Sequence, residues 1–229
     1  LLTGAVTNAL NMPSVTAEEA KVMGPWVTLA THLGGFVGQM TDEPVTAINI
    51  LYDGTVSEMN LEALNCATVA GIMKRANPDV NMVSAPVIAK DRGIKISTTR
   101  QDKAGTFDGY IKVTVVTANR ERSVAGTVFS DGKPRFIQIK GINIDAEIAP
   151  NMLYTTNKDV RGIIGALGLT LGTNGVNIAN FTLGRAASGG EAIALLSVDS
   201  RVPAPVVKQL KETGLFQQIK PLSFEATQS

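Results

Sequence analysis

The sequence predicts two α+β domains in one chain. Three observations carry that expectation. Trp26, Leu29, Ala30, Leu33, Val37 and Met40 keep helical spacing, which marks one buried helix face near the start. β-prone runs then follow in series between 95 and 141, with Asp131-Gly132 as a hairpin turn signal. From 152 onward short strands and helices alternate in the order βαββαβ, the plan of a ferredoxin-like domain.

Bulk properties narrow the class. The chain has 229 residues, 44% of them hydrophobic, enough for one large core or two small ones. Lys and Arg number 21 against 20 Asp and Glu, for a net charge of +1. No basic field exists, which argues against nucleic acid and anionic membrane as partners. The single cysteine, Cys66, allows no disulfide within the chain and fits a reducing cytoplasm. No apolar run approaches the ~18 residues of a membrane span, and no signal-peptide pattern opens the chain. The first residue is Leu1, so the chain is expected to be a piece of something longer.

Residues 1–15, LLTGAVTNALNMPSV, read as a connecting tail, because Met12 precedes a proline and resists helix. Thr16 with Glu19 is a capping-box pattern. Pro25 predicts a break or restart of the helix that follows. In TAINILYDG (46–54), Ile48, Ile50 and Tyr52 alternate against Asn49 and Leu51, a strand. LEALNCATVAGIMKRA (61–76) reads as a helix, and 85–93 as a short one stopped by Gly93. The runs 95–99, 110–118, 123–129 and 134–141 are expected to form an antiparallel sheet.

The rhythm then tightens. MLYTT (152–156) is a short strand, and Ile163, Ile164, Leu167 and Leu171 form a helical apolar stripe. Val176, Ile178, Phe181 and Leu183 make a strand whose phase changes near Asn180, the sign of a bulge. Ser188-Gly189-Gly190 turns the chain into EAIALLSVD (191–199). PAPVVKQLKETG (203–214) has prolines in its first turn and glycine at its end, the expected helix asymmetry. FQQIKPLSF (216–224) closes as a strand.

Chemistry concentrates in NKDVRGIIGALGLTLGTNGVNIANFTLGR (157–185). Gly162, Gly165 and Gly168 are spaced G-x-x-G-x-x-G, unlike the dinucleotide fingerprint, and no Gly-Lys-Ser/Thr tripeptide marks a P-loop. A smaller ligand fits better. The helix start at Gly162 offers unpaired N–H groups and a positive dipole end to a carboxylate. Asp159 stands ready for an ammonium group, and Asn177 adds an amide. Those groups together describe a site for a free amino acid. Equally, Asp159 caps the helix and Asn177 settles the turn after Asn174-Gly175.

No catalytic residue or metal site is expected. His32 is the single histidine, so any Ser-His-Asp or Cys-His arrangement must use it and a metal site built on histidines cannot be assembled; it reads as a structural or exposed histidine. Cys66 reads as a core thiol, and Glu18, Glu19, Asp42 and Glu43 as capping carboxylates. Lys90, Arg92, Lys95, Arg100 and Lys103, diluted by Asp91 and Asp102, form either a solvated face or an attractor for a phosphorylated metabolite.

The residues also carry a family resemblance. Asp159-x-x-Gly162, the helix 162–173, LGTNGVNIANFTLGR (171–185) and ALLSVD (194–199) together resemble an ACT domain, a small-molecule sensor. VNMVSAPVIAKDRGIKI (80–96) is similar to the intervening, allosteric-substrate-binding domain of the D-3-phosphoglycerate dehydrogenase family. TGAVTNALNMPSV (3–15) resembles the tail leaving that family's catalytic body. The resemblance implies a linker tail over 1–15, an intervening domain over 16–148 and an ACT domain over 149–229. It implies the regulatory and oligomerisation segment of an NAD-dependent, cytoplasmic enzyme of L-serine biosynthesis. NAD and the catalytic groups would belong to the upstream part, with no cofactor in this segment.

In serine-regulated members of that family ACT domains pair edge to edge and L-serine sits between two subunits, which implies a homo-oligomer here. The implied effector residues are Asp159, the backbone of Val160, Arg161 and Gly162, and Asn177 from the neighbouring chain. Arg161 stands where the family loop commonly has proline, and Asn157 where a tyrosine or histidine is common. Some members hold an anion on basic residues where this chain has Ile142 and Glu147, which leaves Arg135 and Lys140 as the nearest cations. Three alternatives stay open: an oligomerisation module without effector, a serine dehydratase regulatory segment, and an independent enzyme built on His32.

Overall fold

A computed structural model describes residues 17–102 and 105–225. The expected tail over 1–15, the Thr16 half of the capping box and Lys103 lie outside the described residues. The elements run α1 (Ala17–Met40), β1 (Val45–Gly54), a 3-10 turn (Thr55–Glu58), α2 (Leu61–Met73), α3 (Ser84–Asp91), β2 (Lys95–Gln101), β3 (Gly109–Thr117), β4 (Glu121–Val128), β5 (Pro134–Ile139) and β6 (Ile142–Glu147). They continue as β7 (Asn151–Lys158), α4 (Ile163–Thr173), β8 (Ile178–Arg185), β9 (Glu191–Val198), α5 (Ala204–Glu212) and β10 (Phe216–Ser223). One sheet has the order β2-β1-β3-β4-β5-β6 and the other β10-β7-β9-β8. The residues form two compact units, one up to Arg122 together with Gly126–Pro134, the other Ser123–Ala125 together with everything from Arg135.

In the first unit the apolar stripe of α1 is buried throughout, from Trp26 to Met40, as are Ile48, Ile50 and Tyr52 on β1 and Ile111, Val113 and Val115 on β3. Periodicity of the two kinds meets in one core. α1 and α2 approach until their backbones touch. A Cβ at Gly34 would strike the Thr68 carbonyl oxygen, and one at Gly38 would lie 2.5 Å from the Ile72 carbonyl oxygen. Gly71 faces the Thr31 carbonyl in the same way. Only glycine leaves that space open.

Several expectations need correction. Pro25 lies inside α1 and does not break it. The carbonyl it leaves without its N–H partner is that of Lys21, an exposed residue. The antiparallel sheet expected over 95–141 is mixed, because β2 pairs parallel with β1. α2 and α3 lie between those strands in sequence, and such a helical crossover returns the chain in the same direction. β6 was not anticipated. It follows a two-residue turn in which Lys140 (φ 54) and Gly141 (φ 79) are both left-handed, the type I′ geometry that matches strand twist. Cys66 is half-buried, not core. Ile164 is 59% exposed, while Ile163, Leu167 and Leu171 are buried.

In the second unit every pairing of the four-stranded sheet is antiparallel. The bulge expected near Asn180 is a register shift between Ile178 and Asn180. On one face Leu153, Ala194, Leu196, Val198 and Ile219 pack under Ile163, Leu167 and Leu171 of α4 and Val206 and Leu210 of α5. The other face carries Gly184 opposite Ile193, and β6 lies against it. A Cβ at Gly184 would stand 2.5 Å from the Asn143 carbonyl oxygen. Thus β9 is buried along Ala192–Val198 on both faces.

The glycines divide into two kinds, and alanine scanning separates them. Gly38→Ala is expected to destabilise the chain by about 1–3 kcal/mol through overpacking of α1 on α2. Gly168→Ala, mid-helix in α4 with open space around its Cβ position, is expected to stabilise by about 0.5–1 kcal/mol. Urea midpoints at constant m-value measure both.

Candidate functional site

The loop after β7 is built by backbone bonds before any side chain acts. The Asp159 N–H donates to the Gly190 carbonyl at 2.9 Å, and the Val160 N–H donates to Lys158 O at 2.8 Å. Gly162 closes the loop as the N-cap of α4 with φ 93, a left-handed conformation that favours glycine. The loop is thereby tied to the β8–β9 turn and delivers the start of α4 beside Asp159. Val160 and Arg161 are exposed.

Asp159 has two donors on one oxygen. Arg185 Nη1 donates to Oδ2 at 3.2 Å, and the Gly189 N–H donates to the same atom at 3.3 Å. Asn157, two residues earlier, is buried on the helix-covered face. Its Nδ2 donates to Lys158 O at 2.6 Å, while Oδ1 has no partner among the described residues. A buried carbonyl oxygen in that state costs about 1–3 kcal/mol.

Asn177 is elsewhere. Its Nδ2 donates to Asp199 Oδ2 at 2.8 Å, and the Asp199 N–H donates back to Asn177 O at 3.2 Å. Asn177 precedes β8 and Arg185 ends it, so the two sit roughly 26 Å apart along the eight-residue strand. Asp159 is at the Arg185 end. One chain therefore brings together Asp159, Val160, Arg161 and Gly162 but not Asn177.

The two cations considered for an anion both face carboxylates. Arg135 Nη1 lies 3.5 Å from Asp145 Oδ1. The Lys140 ammonium is on Glu191, and the Lys140 N–H donates to Ser123 O at 3.0 Å. Glu191 opens β9 opposite Lys158, next to Asp159. The residues that sequence reasoning missed are thus Arg185, Gly189, Glu191 and Asp199. Their signal was the pairing of β8 with β9, which brings charges far apart in sequence to adjacent strand ends.

His32 is buried in α1 with a partner, as a structural histidine is. Burial pushes the Cys66 thiol up, with Glu62 adding to it, so the thiolate is disfavoured. Lys90, Arg92, Lys95 and Arg100 are exposed. Among the described residues no group of His, Cys, Asp or Glu is arranged to hold a metal ion. No helix among them is long and apolar enough to cross a membrane. Glu43 serves the fold: Oε2 accepts from Thr117 Oγ1 at 2.9 Å and from Asn119 Nδ2 at 3.2 Å, and Arg120 Nε is 3.4 Å from Oε1. The Thr117 bond, then Asn119 and the Arg120 and Arg122 charges, hold its carboxyl below the usual range against the opposing effect of burial.

Fold and site together define a two-unit α+β protein with a loop-to-helix polar site at one end of its smaller sheet. The particular family is shown by comparison. Residues 22–140 match the model for the D-3-phosphoglycerate dehydrogenase intervening domain, and the chain belongs to that family. It is 34% identical over 206 residues to the D-3-phosphoglycerate dehydrogenase of Bacillus subtilis, covering 90% of this chain and 39% of that protein. The Methanocaldococcus jannaschii enzyme of the same name is 30% identical over 208 residues, at 90% and 39% coverage. That of Synechocystis is 30% identical over 209 residues, at 90% and 38%. The chain spans about two-fifths of the length of these relatives.

Two expectations follow from the ion pairs. Because the folded-state pKa of Glu43 is depressed, its contribution is present above the unfolded carboxylate pKa and lost as pH falls through the folded value. Glu43→Gln is expected to lower stability at neutral pH and to converge with the unsubstituted chain at acid pH, followed by thermal melts across pH. For Lys140 and Glu191, both more than a third exposed, a double-mutant cycle with Lys140→Met and Glu191→Gln is expected to give a coupling of about 0.2–1 kcal/mol that shrinks with added salt.

Proposed function

We propose that this chain is the regulatory and oligomerisation segment of an NAD-dependent D-3-phosphoglycerate dehydrogenase of L-serine biosynthesis, an oxidoreductase of the cytoplasm. The match of 22–140 to the intervening domain and the names of the relatives support that reading. So does the share of those relatives covered, which leaves most of the parent, with its NAD and catalytic residues, to other sequence. In this reading 16–148 is the intervening domain and 149–229 a ferredoxin-like ACT domain, whose β10-β7-β9-β8 order and all-antiparallel pairing fit the plan. The β5–β6 hairpin then belongs to the intervening domain by sequence while packing with the ACT sheet.

The observation that carries the reading is the position of Asp159 and Asn177 at opposite ends of β8, the outer strand of its sheet. Antiparallel pairing of two β8 edges about a two-fold axis sets the Arg185 end of one strand beside the Asn177 end of the other. Asp159 then meets Asn177 of the partner subunit. L-serine at that junction would place its ammonium on Asp159, its carboxylate at the 160–162 backbone and a polar group on the amide. Ligand bound across two subunits stabilises the paired arrangement, and only that difference in affinity carries a signal to a distant active site. Neither nucleic acid nor membrane has a part in this function. An anion at Arg135 and Lys140 would compete there with Asp145 and Glu191.

A second reading is pairing without effector. It is favoured by the internal partners that Asp159 and Asn177 already have, Arg185 and Asp199. Calorimetric titration of L-serine into the chain decides. Saturable binding that Asp159→Ala abolishes is the expected result. An oligomer that shows no heat with serine at two temperatures would leave assembly as the function.

A further inference from the structure

Arg185 belongs to no assigned role, yet its side chain donates to the Asp159 carboxylate. Its Nη1 and the Gly189 N–H both use Oδ2, at 3.2 and 3.3 Å. Asp159 Oδ1 has no partner among the described residues, and neither have Nε and Nη2 of Arg185. The arginine side chain is 61% exposed and the aspartate 23%. An open carboxylate oxygen and an open guanidinium edge therefore stand side by side, fixed at a strand end.

That pair is complementary to a zwitterion. A free α-amino acid carries an ammonium and a carboxylate on one carbon. Oδ1 is an acceptor for the first, and the planar fork of the guanidinium suits the second better than a lone backbone N–H does. An amine without the carboxylate gains the same oxygen but lies beside an uncompensated cation, which disfavours it. We infer that Arg185, acting beside the 160–162 backbone, receives the carboxylate of the effector and makes the Asp159 site selective for amino acids over simple amines. This rests on the amino-acid site proposed above. It differs from a positioning role, in which Arg185 merely holds Asp159 in one rotamer.

The two roles part in sign. The probes are L-serine and L-serinamide, which keeps the ammonium and replaces the carboxylate by a neutral amide. Titrated into the intact chain below neutral pH, L-serine is expected to bind about ten-fold or more tighter than L-serinamide. Arg185→Ala should weaken L-serine by a similar factor and leave L-serinamide unchanged or tighter, erasing the preference. Arg185→Lys, which keeps charge without the fork, should restore part of it. Equal weakening of both ligands in Arg185→Ala would show a positioning role only and overturn the inference, as would an unchanged preference. Binding of neither ligand to the unsubstituted chain would remove the amino-acid site itself and the inference with it. The L-serinamide arm also reports whether the variant's site is still folded.

Discussion

The close approach of β6 to Gly184 is the constraint on which the C-terminal unit depends. A sheet of four strands with helices on one face leaves its other face to be covered. Here that face carries Met152 and Tyr154 of β7 and Ile193 and Leu195 of β9, all buried. β6 supplies cover because residue 184 has no side chain, so the Asn143 carbonyl can lie where a Cβ would be. The consequence is readable in composition. β9 is EAIALLSV, nearly continuous apolar sequence, as expected of a strand buried on both sides and unlike the alternation of a half-covered one.

The same approach shapes the turn that feeds β6. Ile139 and Ile142 are joined by two residues, so Lys140 must take the left-handed conformation that a non-glycine residue resists. Its N–H and its ammonium are each held from outside the hairpin, by Ser123 and Glu191. Glu191 pairs with Lys158, and the next residue is Asp159. The candidate site therefore sits one residue from the contact that fixes the hairpin. Position, more than any strong bond, links the two.

Legibility in the sequence followed the range of the interactions. The stripe of α1, the alternation of β1, the glycine stop after α3 and the bulge in β8 are local patterns, and the structure repeats them. β6 alternates as well, Ile142, Ile144 and Ala146 against Asn143, Asp145 and Glu147. It was missed because Lys140-Gly141 is a weak turn signal beside Asp131-Gly132. The parallel pairing of β2 needed the helices between the strands to be weighed as a crossover. Gly34, Gly38 and Gly71 gave no pattern at all, since their meaning lies on the facing helix. At the site, Asp159 and Gly162 were placed by their own loop. Arg185, 26 residues from Asp159, became its neighbour only because both β7 and β8 pair with β9.

Energetics argue that the Asp159–Arg185 pair is not there for the fold. An ion pair whose arginine is 61% exposed contributes about 0–1 kcal/mol. The strand ends it joins are already fixed by the Asp159–Gly190 backbone bond and by the double burial of β9. Removing the pair should therefore leave the loop in place. A solvated capping residue needs no such frame, because water completes it at any rotamer. A charge pair set on a rigid frame, with one oxygen and one guanidinium edge unused, is already ordered before a ligand arrives. That is the condition under which small, weakly stabilising groups discriminate between ligands, and it is met at this end of the sheet and not at Asn177, whose amide is taken by Asp199 in its own chain. If Asn177 of the partner subunit joins the site on pairing, that bond is what the ligand must compete with, so assembly and recognition would be set by opposite ends of the same strand.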